Sequence, residues 1–131
     1  MTRKEAREQA FVLIFEKNFN EYDIPELIEF AKEARDFSED KDGYILNAVT
    51  KTFDNIDEID SIISDNLSGW TINRISKVSL AVLRLAVCEI KYIDEIPEAV
   101  SIDEAVELCK KYSTLDDSAF VNGVLGTIVK K

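Results

Sequence analysis

The stretch from Leu80 to Ile90 is apolar on nearly every side: Leu80, Ala81, Val82, Leu83, Leu85, Ala86, Val87, Cys88 and Ile90. A helix without a polar face must be packed on several sides, so these residues predict a central helix that the rest of the chain surrounds. Arg84 and Glu89 interrupt it. They stand about 140° apart on a helix and do not pair with each other. Each needs solvent, a partner or its own counter-ion, and separate structural salt bridges are the simplest outcome. The same charges, with Lys91, keep Val78 to Ile93 from spanning a bilayer.

The flanking sequence repeats the helical theme. Thr2-x-x-Glu5 has capping-box spacing, followed by a stripe of Ala6, Ala10, Phe11, Leu13, Ile14 and Phe15 that ends near Phe19. A second helix is predicted from Pro25, and a third after Ser38 or Asp40 with Tyr44, Ile45, Ala48 and Val49. A fourth runs from Asn55 to Gly69, and Trp70 to Lys77 reads as a short helix or turn. Ser79 is placed to cap the central helix, and Ser101-x-x-Glu104 to cap the next. The last helix begins near Asp116 or Asp117 and buries Val121, Val124, Leu125 and Ile128. Four glycines and two prolines in 131 residues are too few for a sandwich of short strands. The expected fold is all-α, a compact bundle of about seven helices forming one domain over residues 1–131, with no repeat or linker.

Absences exclude chemistry. With no histidine, imidazole zinc sites, Ser-His-Asp triads and paired E-x-x-H di-iron sites cannot be built. Cys88 and Cys109 lie in apolar patterns and read as buried free thiols. The N-terminal residues carry acids and no apolar run, so no signal peptide is expected, and the cytoplasm is the predicted compartment. No cofactor is called for. One enzymatic alternative uses clustered carboxylates: Glu29, Glu33 and Asp36 could share a face and hold Mg²⁺, as in all-α nucleotide pyrophosphatases.

The net charge is −10, but it is unevenly spread. Residues 20–70 hold fourteen acids against four bases, while the segments on either side are close to neutral. A solvated acidic surface and a face for a basic partner both fit this pattern. At the amino end, Arg3, Lys4 and Arg7 fall within an arc of about 100° on the first helix. Three cations on one face can neutralise adjacent phosphates of a single strand. An ordinary exposed face with a Lys4–Glu8 pair is the alternative, although cations at a helix N-terminus oppose the macrodipole. Near the carboxyl end, Phe120 could stack on an unpaired base or simply join the core. Gly123 costs its helix about 1 kcal/mol relative to alanine, which predicts close approach of another helix.

The ordered segments Leu83-Arg-Leu-Ala-Val-Cys-Glu89, Ile96-Pro97, Val100-Ser-Ile-Asp-Glu-Ala-Val-Glu-Leu-Cys-Lys110 and Phe120-Val-Asn-Gly-Val-Leu125 resemble the NusB family of transcription antitermination factors. Arg3-Lys-Glu-Ala-Arg-Glu8 is similar to that family's N-terminal arginine-bearing segment, and Trp70 with Arg74 also fits. The resemblance implies two small helical subdomains and a non-enzymatic role. It implies binding of boxA RNA together with the ribosomal protein NusE, acting on RNA polymerase, notably in ribosomal RNA operons. It leaves monomer and homodimer open. By motif position it makes Arg3, Lys4 and Arg7 RNA-backbone contacts and Phe120 a base contact, with Asp116 beside it. The central helix and its neighbours would face NusE. A protein adaptor with little RNA binding of its own is the alternative within the same resemblance.

Overall fold

A computed structural model describes residues 1–40 and 42–130. Among these it contains seven α-helices and no strand: α1 Arg3–Glu16, α2 Ile24–Ala34, α3 Tyr44–Asp54, α4 Ile56–Asp65, α5 Lys77–Tyr92, α6 Glu98–Tyr112 and α7 Leu115–Lys130. Short 3₁₀ turns follow α1 at Lys17–Phe19 and precede α5 at Ile72–Arg74.

Local chemistry sets most of the helix starts. Thr2 and Glu5 form the reciprocal capping box at α1. Asp23 and Glu26 form a second box at α2, with Pro25 in the first turn. The Asp40 carboxylate accepts from the Tyr44 and Ile45 N–H groups at 3.2 and 2.8 Å, satisfying two free donors of α3 from outside the helix.

Two predicted caps are not used as such. Ser76, not Ser79, caps α5, accepting from the Ser79 N–H at 3.1 Å. Helix α6 starts three residues before Ser101, after Pro97. Both Ser101 and Glu104 are instead drawn into contacts with α1 and α5. Tertiary partners outcompete the local cap there.

Helices α1, α2 and α3 pack on one another, while α4, α6 and α7 gather around α5. Helix α5 also packs directly on α1 and α3, so both groups share it as a spine. Its Ala81, Val82, Leu83, Leu85, Ala86, Val87 and Cys88 are all buried, as expected of a helix apolar all round. Each large aliphatic side chain removed from water there contributes about 1.5–3 kcal/mol. No described helix is long and apolar enough to cross a membrane.

Arg84 and Glu89 leave the spine in different directions. The Arg84 guanidinium donates two hydrogen bonds to the Asp60 carboxylate of α4, at 2.9 and 2.8 Å. Glu89 enters the cluster described below, so the two charges make separate bridges.

Cys88 and Cys109 are buried and unpaired, and burial pushes both thiols up to about 11. Since the thiolate is the reactive form, neither should be alkylated at neutral pH in the native protein. A thiol-disulfide reagent should titrate both only after urea unfolding; rapid native labelling would show the core to be open.

Candidate nucleic-acid interface

The three amino-terminal cations part company in three dimensions. Arg7 lies on the buried stripe of α1 with Ala10, Phe11 and Ile14, and is only 4% exposed. Its Nε donates to Glu89 Oε2 at 2.7 Å. The Tyr44 hydroxyl donates to the same oxygen, and Ser101 Oγ donates to Glu89 Oε1 at 2.8 Å. Four helices, α1, α3, α5 and α6, therefore meet at one buried carboxylate. Burial alone would lower the Arg7 pKa, but the hydrogen bond and charge of Glu89 outweigh it and hold the guanidinium above its usual value. Burial and the Glu89 charge push the Tyr44 phenol strongly upward, so it stays a donor. Arg7 thus stands apart from Arg3 and Lys4, with its guanidinium bonded to Glu89 inside the fold and 3.9 Å from Glu104.

Arg3 and Lys4 remain at the surface. The Arg3 guanidinium lies 4.8 Å from the Tyr44 ring centroid and 3.5 Å from the exposed Asp42 carboxylate. Lys4 reaches Glu104 at 3.2 Å, and Lys111 reaches Glu8 at 2.6 Å. Hydrogen bonds from Lys111 and Tyr112 hold Glu8 below the usual carboxylate range. A mixed-charge cleft between α1 and α6 results. These pairs are exposed and each contributes little to stability, so a phosphate could displace them at small cost.

Phe120 sits at the other end of the spine. Its ring is half-buried and meets Trp70 edge-on, with centroids 6.3 Å apart. Trp70 is 54% exposed. It is set there by Gly69, whose φ of 75° turns the chain sharply after α4. The two rings line a groove of about 520 Å³ that also includes Arg74, Ser76, Asp116 and Asp117. Arg74 makes no ion pair with any described residue. Asp117 is engaged by the Ser76 and Ser113 hydroxyls, whereas Asp116 is exposed. The groove thus combines π faces, a cation and a carboxylate acceptor.

Sequence reasoning named Phe120 and Asp116, and the structure brings these two together. Trp70 and Arg74 enter the site only through the fold, although an aromatic directly after a glycine turn was a readable sign. The two ends are not one compact site. Ser76, the cap of α5, and Glu89 stand thirteen positions apart, roughly 20 Å along the helix. Glu29, Glu33 and Asp36 do not gather: no group of three or more potential metal ligands exists among the described residues.

Comparison with known proteins agrees with this architecture. A family model described as the NusB family matches residues 4–130. The transcription antitermination protein NusB of Acetivibrio thermocellus is 43% identical over 130 residues, covering 99% of this chain and 90% of that protein. Its counterpart in Finegoldia magna is 38% identical over 132 residues, covering 100% and 96%. The solved structure of T. maritima NusB superimposes with a TM-score of 0.88 at 33% identity, covering 100% of this chain and 92% of that one. A crystal structure of the antitermination factors NusB and NusE in complex with dsRNA gives 0.86 at 33% identity, covering 98% and 96%. With sequence and fold matched along almost its entire length, the chain belongs to the NusB family of transcription antitermination factors.

Proposed function

We propose that this protein binds boxA-type single-stranded RNA jointly with NusE and acts, without catalysis of its own, on RNA polymerase in the cytoplasm, notably in ribosomal RNA operons. The observation that carries the reading is the open groove beside the Trp70–Phe120 pair, with the Arg74 guanidinium at its edge. Unstacked bases find π faces there, and the groove is sequence-tolerant until polar atoms such as Asp116 select among them. Arg3 and Lys4 add backbone attraction at the far end.

The acidic middle segment supports a basic protein partner, since complementary fields speed encounter and set orientation. Titration of boxA-type and scrambled oligonucleotides, with and without NusE, tests the reading. Tighter binding of boxA with NusE present, falling steeply with salt, is expected. Equal affinity for both sequences in both conditions would reject it. A second reading, an adaptor with little RNA contact, is favoured by one observation: Arg3, Lys4 and Lys111 already face carboxylates. It predicts that Arg3→Ala and Lys4→Ala leave antitermination intact while NusE binding persists.

A further inference from the structure

Gly123 has no use inside the molecule. It stands in the interior of α7, where glycine is destabilising, and the expected close helix contact is absent. A Cβ built at Gly123 meets no heavy atom within 4 Å, and the residue is exposed. Gly123 does line a hollow of about 360 Å³, together with Asn66, Trp70, Phe120 and Thr127. Trp70 and Phe120 line the 520 Å³ groove as well. The ring pair therefore stands between two hollows.

Each hollow also presents exposed polar side chains. In the groove these are Arg74 and Asp116; in the Gly123 hollow they are Ser68 and Thr127. A hydroxyl can donate and accept, a carboxylate accepts and a guanidinium donates, which suits the amino and carbonyl edges of nucleobases.

We infer that the Trp70–Phe120 pair is a divider that parts two successive bases of single-stranded RNA, one in each hollow, with Gly123 left bare so that the second base can lie against α7. The inference rests on the RNA reading above and adds a second base site to it. Arg74, which pairs with no carboxylate among the described residues, lines the groove and supplies charge for the connecting phosphate. A peptide occupant would want an enclosed apolar cleft rather than two open hollows beside exposed ring faces.

The test uses the full chain with NusE and a boxA-type oligonucleotide. Gly123→Met fills the second hollow with a good helix former, and Gly126→Met is its control. Gly126 lies in the same helix, also has no neighbour within 4 Å, and lines neither hollow. Gly123→Met should weaken binding about tenfold or more, as loss of a stacked base does, while Gly126→Met leaves it unchanged. Trp70 is the only tryptophan, so its emission should quench when RNA binds. If Gly123→Met fails to fold, Trp70→Leu removes the divider and should produce the same loss. Wild-type affinity in Gly123→Met, alongside loss in Phe120→Ala, would overturn the second base site and leave the RNA reading standing. Absence of boxA binding by the wild-type protein would overturn both.

Discussion

Arg7→Met lowers the unfolding free energy by about 3–5 kcal/mol, because it strands the Glu89 carboxylate in the core. That is a large share of the 5–15 kcal/mol typical of a domain, and Tm should fall by about 10 °C or more. The loss is not the worth of the ion pair; most of it is the cost of a buried charge without its counter-ion. Arg7→Met combined with Glu89→Gln should therefore recover more than half of it. Tyr44 and Ser101 donate to different oxygens of Glu89; the glutamine oxygen accepts from one hydroxyl while its amide group donates to the other. Urea unfolding of the two single variants and the double variant measures the coupling. Strictly additive losses would mean that Arg7 and Glu89 do not act as a pair.

Phe120→Ala should weaken RNA binding by about 1–3 kcal/mol, roughly 5- to 150-fold, with little change in salt dependence, since it removes stacking and no charge. Arg3→Ala and Lys4→Ala should act differently. Each should weaken boxA and scrambled strands alike and reduce the slope of log K against log salt by about one. Arg7→Met/Glu89→Gln, once shown to be folded, should leave that slope unchanged. A reduced slope in that variant would return Arg7 to the RNA surface and contradict its burial. Fluorescence titration at several salt concentrations separates these outcomes.

The fold was legible because its main signals are local. Thr2 and Glu5 cap as their spacing predicts, and the all-round apolarity of Leu80 to Ile90 marks the spine correctly. What periodicity left open involved partners far away in sequence. Arg3, Lys4 and Arg7 do share an arc of α1, but Arg7 occupies its inner edge, drawn by Glu89 82 residues away. Both halves of that pair were readable separately: an acid in an apolar helix, and a cation in step with Ala10 and Ile14. Ser101 and Glu104 have the spacing of a cap, yet Ser101 is drawn to Glu89 and Glu104 to Lys4. At the other end, Phe120 and Asp116 were readable from sequence, whereas Trp70 joins them only because Gly69 turns the chain back. Helical periodicity names the faces of each element and is silent about which neighbour will claim them.

Sharing α5 between the two helix groups carries a consequence for how the molecule comes apart. Neither group owns enough interior to persist once the spine is gone, so melting cannot stop halfway with one lobe intact. A transcript held at the beginning of α7 would then steady even α2, and occupancy would register as slower proton exchange throughout the chain rather than at the point of grip alone.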